Sequence, residues 1–189
     1  MTETQMNQTC TAFCGGRQLA TGSRRAVASA LVAASQTMDP ILVFDDTGAW
    51  PVEFDLRGDL AAVLARLPQE EAAAARGPGR PRLGVMPREV TLLPRHWDWL
   101  SGQPGGASVA LRKLVEAAMR EADGPDRIRK GREAAYRFMT AMAGDLPGYE
   151  AAVRALFAGD PYGFDAATAG WPRDIVDYAN GRLAGAVQA

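Results

Sequence analysis

Arginine is the residue type through which this chain is best equipped to do chemistry. Arg80 and Arg82 stand two residues apart in Arg76-Gly77-Pro78-Gly79-Arg80-Pro81-Arg82, where glycine and proline suit an extended segment better than a packed core. Extended guanidinium side chains match the enhanced negative potential of a narrow A·T minor groove. Arg88 and Thr91 follow on a β-prone run, Arg88-Glu89-Val90-Thr91-Leu92-Leu93. Ser108, Arg112 and Lys113 lie at the start of a helical pattern, where backbone amides and basic side chains can meet phosphates. Arg127, Arg129, Lys130, Arg132 and Arg137 either continue such a surface or form a wet helix face paired with Asp123, Asp126 and Glu133.

The residues that would signal an enzyme are sparse. His96 is the only histidine, so no zinc site can be built from imidazoles, and Cys10 and Cys14 lack partners for one. Asp45 and Asp46 with Glu53 and Asp55 are a set that can gather around a divalent ion, though a wet hairpin face accounts for them more simply. No phosphate-binding glycine loop follows a strand, and no Gly-x-Ser-x-Gly elbow occurs. The expectation is a protein without catalytic residues, cofactor or metal.

Net charge is −1 over 189 residues, so the whole chain carries no field that draws it to nucleic acid or membrane. The distribution is uneven. Residues 1–75 hold 5 basic and 9 acidic groups, residues 76–137 hold 13 and 7, and residues 138–189 hold 3 and 6. The middle third is a basic island between acidic flanks. The start lacks a basic and apolar leader, no run of about 18 apolar residues occurs, and two cysteines cannot frame a disulfide scaffold. These features predict a cytoplasmic protein without a membrane partner.

Elements that must position these residues follow from periodicity. Thr9 to Phe13 is a short β-prone run closed by Gly15-Gly16, with Gln18 to Thr21 as its hairpin partner. Val27, Ala30, Leu31 and Ala34 sit at helical spacing over 24–36 behind Ser23 as N-cap. Ile41 to Phe44 is an apolar strand, and Val52, Phe54 and Leu56 alternate with charged residues as a half-buried hairpin strand. Asp59 caps a helix through Leu67. Residues 88–93 read as a strand, Pro94 opens a short helix through Gly102, and Ser108 opens a longer one. Further helices fall at 126–143, 149–158 and 173–183, with a short element at 164–169. Trp97, Trp99, Tyr136, Phe138 and Met139 suit a core or an interface. The fold class is α+β: a small N-terminal α+β domain over 1–68, a basic Gly/Pro linker over 69–87, a strand–helix–helix unit over 88–122 and a helical C-terminal region over 123–189.

Three resemblances bear on function. The stretch from Val90-Thr91-Leu92-Leu93-Pro94 through Trp97 and Leu100 to Ser108–Val115 resembles a ribbon-helix-helix module. That resemblance implies a homodimer whose paired strands enter the major groove and whose second helix aims its N-terminus at a phosphate. Here the two strand faces, Glu89-Thr91-Leu93 and Arg88-Val90-Leu92, lack the polar or basic set that reads bases. Gly79-Arg80-Pro81-Arg82 resembles the Arg-Gly-Arg-Pro core of the AT-hook, with Pro78 where the first arginine of that core stands; a solvated linker is the alternative. Over nearly its full length the chain is similar to an uncharacterised bacterial family, the domain of unknown function numbered 2239. Leu42-Val43-Phe44-Asp45-Asp46, Asp55-Leu56-Arg57-Gly58, Glu89 to Val115, Ala134 to Met139 and Ala155 to Asp160 carry the similarity. The functional expectation is a dimeric DNA-binding protein, regulatory or nucleoid-associated, using Arg80, Arg82, Arg88, Thr91, Ser108, Arg112 and Lys113 mainly at the DNA backbone. The alternative is an adaptor in which the ribbon serves only dimerisation and the N-terminal domain binds a partner protein.

Overall fold

The computed structural model describes residues 9–34, 39–68 and 88–185. The chain is an α+β protein that divides into two units, one made of Met1–Glu71 with Asp126–Ala189 and one of Ala72–Pro125. In chain order the elements are β1 (Cys10–Cys14), β2 (Arg17–Gly22), α1 (Arg24–Ala33), β3 (Ile41–Asp45), α2 (Leu60–Arg66), α3 (Pro94–Ser101), α4 (Gly106–Ala143), α5 (Tyr149–Ala158), α6 (Pro161–Thr168) and α7 (Arg173–Gly185).

The first unit is built on an antiparallel sheet of order β2-β1-β3. Central β1 is buried on both faces, which is why its sequence reads as an apolar run rather than an alternation. Cys10 and Ala12 point to one side, where Val27 and Leu31 of α1 and Val43 of β3 close a small core. Phe13 and Phe44 point to the other, into a second core with Phe138, Met139, Trp171, Ile175 and Tyr178. Phe138 sits at its centre, with ring centroids 5.1 Å from Phe13, 5.1 Å from Phe44 and 4.4 Å from Tyr178. Edge-to-face and tilted rings at such spacings add to the burial of their area. The sheet and the C-terminal helices therefore share one core. The segments read from sequence as an α+β domain over 1–68 and a helical region over 123–189 both contribute to it.

Local signals act as their residue types dictate. The Ser23 hydroxyl accepts from the Ala26 amide and the Asp59 carboxylate from the Ala62 amide, so both helices start at their capping residues. Gly15, with φ of 57°, turns β1 into β2. At Gly16 a Cβ would lie 2.7 Å from Cγ of Pro172, so glycine permits the hairpin to approach the start of α7.

Two expectations change. Val52, Phe54 and Leu56 do alternate inward, packing against the core beneath α1, yet they form no strand. The Val52 amide to Val43 carbonyl bond, 2.8 Å, and the Asp45 amide to Trp50 carbonyl bond, 2.9 Å, bridge Phe44 and Pro51 and tie the start of this segment to β3. Burial alone is enough to produce the period of two. The helix expected to begin at Asp126 is instead the second half of α4, which runs through Pro125. A proline inside a helix removes one hydrogen bond and costs about 3 kcal/mol; burial of Ala134, Ala135, Phe138 and Met139 in the core supports the helix downstream of it.

Candidate functional site

The second unit, described over residues 88–125, carries most of the residues singled out for nucleic-acid contact. Residues 88–93 belong to no helix and pair with no strand among the described residues, so the expected strand is not formed in a single copy. A strand of this kind needs a partner for its backbone groups. Leu93 is extended (φ −67°, ψ 150°) and hands over to α3, with Pro94 in the first turn. The turn into α4 relies on Gly105 and Gly106, both left-handed (φ 88° and 74°). A Cβ on Gly105 would also meet Val109 at 3.1 Å. The first turn of α4 contains no acidic residue.

Between the 88–93 segment, α3 and α4 lies an apolar groove of about 290 Å³, lined by Leu92, His96, Trp99, Leu100, Leu111 and Leu114, with Arg95 at its side. Among the described residues of this unit only Leu100 and Ala110 are buried. Val90, Leu93, Trp97, Leu114 and Val115 are exposed, Trp99 by 54% and Met119 by 66%. Scattered exposed apolar residues are ordinary, but Leu92, Trp99, Leu111 and Leu114 come together around one groove. Trp97 and Trp99 are thus surface residues of one copy.

The sequence-derived positions distribute as follows. Arg80 and Arg82 lie outside the described residues. Arg88, Thr91, Ser108, Arg112 and Lys113 are all exposed. Ser108 and Arg112 come together, the Arg112 Nε donating to the Ser108 carbonyl at 3.1 Å. No hydrogen bond or ion pair among the described residues joins Arg88 or Thr91 to Arg112 or Lys113. Leu92 lines the groove, and alternation in an extended chain puts Val90 and Arg88 on its side and Glu89, Thr91 and Leu93 on the other. Residues 88–125 hold five arginines or lysines and five carboxylates, so the basic island is concentrated elsewhere.

The acidic cluster in the first unit has structural duties. The buried Asp45 carboxylate accepts from the amides of Thr47 (3.0 Å), Gly48 (2.8 Å) and Trp50 (2.7 Å), which anchors the turn after β3. Asp46 Oδ1 accepts from the hydroxyls of Thr11 (2.8 Å) and Tyr178 (3.1 Å). Burial pushes the Tyr178 phenol well above its ordinary range, so it stays a donor. Asp55 pairs with Arg57 at 2.7 Å and Arg66 at 3.4 Å, and the hydrogen bond from Arg57 holds its carboxyl far below the usual carboxylate range. His96 sits exposed on the groove.

The groove residues Leu92, Leu111 and Leu114 were visible in sequence only as apolar periodicity, which marks core and interface alike. The model of the bacterial family described as "Uncharacterized protein conserved in bacteria (DUF2239)" matches residues 9–184. The chain belongs to DUF2239. The match takes in both units of the DUF2239 fold, including the groove. Neither curated proteins nor solved structures yield a match to it. Among the described residues, no helix is long and apolar enough to cross a membrane.

Proposed function

We propose that residues 88–122 are a self-pairing, ribbon-helix-helix-like module through which a dimer binds DNA, chiefly at its phosphates, in a regulatory or nucleoid-associated role. The observation that carries this reading is the open apolar surface of the module. Among the described residues of 88–122 only Leu100 and Ala110 are buried, and a second copy would cover Val90, Trp99, Leu114 and Met119. Pairing two 88–93 segments would satisfy their backbone groups and present Thr91 outward, with Ser108, Arg112 and Lys113 beside phosphates. Arg80 and Arg82 would track the minor groove from the linker, and Arg88, on the side of Leu92, would serve the backbone rather than the bases.

Two copies of Arg112 and Lys113 supply four of the phosphate contacts, which contribute about −3.6 to the salt slope and roughly a 100-fold share of the affinity lost from 50 to 200 mM salt. Fluorescence anisotropy with A·T-rich and G·C-rich duplexes tests this. Arg112→Ala with Lys113→Ala should lower both affinity and slope while the dimer persists, and Leu114→Asp should abolish dimer and binding together. Unchanged affinity and slope in the first variant would refute the DNA reading. The even charge balance of residues 88–125 and the outward Glu89 and Leu93 favour a second reading, an adaptor whose ribbon only dimerises. In that case Leu114→Asp breaks the dimer while the unmodified protein binds no duplex even at low salt.

A further inference from the structure

The basic run of α4 is sorted by helix position. Arg129 is held by Asp126 at 3.2 Å and Glu133 at 3.0 Å, the ordinary fate of an exposed helix cation. Arg127, Lys130, Gly131 and Ala134 stand at i, i+3, i+4 and i+7 and share a different face. That face borders a cavity of about 300 Å³ whose other walls are Gly181 and Arg182 of α7 and the turn at Asp46. Three cations from two helices therefore line one space, and Asp46 is the carboxylate among its lining residues.

That carboxylate belongs to the fold. Asp46 Oδ1 receives the Thr11 and Tyr178 hydroxyls, and Arg182 Nη1 donates to the Asp46 main-chain oxygen and lies 3.9 Å from Oδ1. Arg182 is further held by the Tyr178 ring, its Cζ 4.6 Å from the ring centroid, which fixes the guanidinium at the cavity wall. Lys130 has no carboxylate partner among the described residues. The walls are also bare where a ligand would need room: a Cβ on Gly181 would meet nothing within 4 Å. The volume is at the small end of ligand pockets. Guanidinium and ammonium groups around so small a space match a phosphate, which takes several charge-assisted hydrogen bonds at once.

We propose that this cavity binds the phosphate group of a small phosphorylated molecule, with Arg127, Lys130 and Arg182 as its ligands. The site lies wholly within the first unit and stands independently of DNA binding by residues 88–122. Isothermal titration calorimetry of the full chain with pyrophosphate and with inorganic phosphate tests it. Pyrophosphate should bind the unmodified protein and bind about tenfold or more weakly to Arg127→Gln with Lys130→Gln, as expected on losing charge-assisted contacts. Gly181→Leu should weaken it similarly by filling the space without changing charge. Lys130 is exposed, so Lys130→Gln alone keeps the test valid if Gly181→Leu fails to fold. Absence of heat with pyrophosphate, or equal affinity in the double charge variant, would overturn the proposal. Displacement of pyrophosphate by duplex DNA at stoichiometric concentration would also overturn it, assigning these cations to a nucleic-acid backbone.

Discussion

Phe138→Ala is the sharpest test of the shared core. The Phe138 ring is fully buried, touches rings from β1, β3 and α7, and is one of the largest side chains with no exposure. Truncating a buried phenylalanine costs about 3–5 kcal/mol, from lost transfer free energy and the cavity left behind. For a chain of this length each kcal/mol moves the midpoint by about 2–4 °C, so Tm should fall by roughly 6–20 °C. Thermal unfolding followed by far-UV circular dichroism gives the shift. Amide hydrogen exchange read separately over β1–β3 and α5–α7 shows where it acts. Both sets should lose protection together, because Phe13 and Phe44 face the same ring as Tyr178. A loss under 1 kcal/mol, or protection lost only in the helices while the sheet keeps its own, would refute the shared core.

Other consequences follow from single contacts. Gly16→Ala places a methyl 2.7 Å from the Pro172 ring, which has little freedom to yield, and should cost about 1–3 kcal/mol in a denaturant melt. Asp45→Ala leaves the amides of Thr47, Gly48 and Trp50 without their acceptor and should cost about 3 kcal/mol, measured the same way. Burial pushes the Cys10 thiol from 9.0 up to about 11. The folded state thus holds the proton more tightly: this contribution is complete below pH 9 and is lost as pH climbs towards 11. Urea melts at pH 8 and pH 10 should differ accordingly, and Cys10→Ala should remove that part of the difference.

Much of the first unit was legible because its signals are local. Ser23 and Asp59 cap helices where a hydroxyl and a carboxylate precede apolar periodicity, and Gly15 turns the hairpin. The period-two run Val52-Phe54-Leu56 reported burial correctly but not hydrogen bonding, since alternation records which side is wet and not what the backbone pairs with. Pro125 read as a helix boundary because proline's intrinsic cost is local, whereas the packing of Phe138 and Met139 that supports the rest of α4 is not. The shared core was invisible for a similar reason: nothing in the neighbourhood of Phe13 says that its partners are Phe138 and Tyr178. For the candidate site, Ser108, Arg112 and Lys113 are exposed, while the groove needed the turn of α3 against α4 to become visible. The spacing of Arg127 and Lys130 was readable as one helix face, but Arg182, from α7, had no sequence signal linking it to them.

Sedimentation velocity of a fluorescently labelled duplex with the full chain, at low salt and again at physiological salt, tests the proposed function most directly. The proposal predicts a complex containing two chains per duplex at low salt that dissociates steeply as salt rises. A chain that sediments as a monomer and leaves the duplex unshifted at low salt would contradict it.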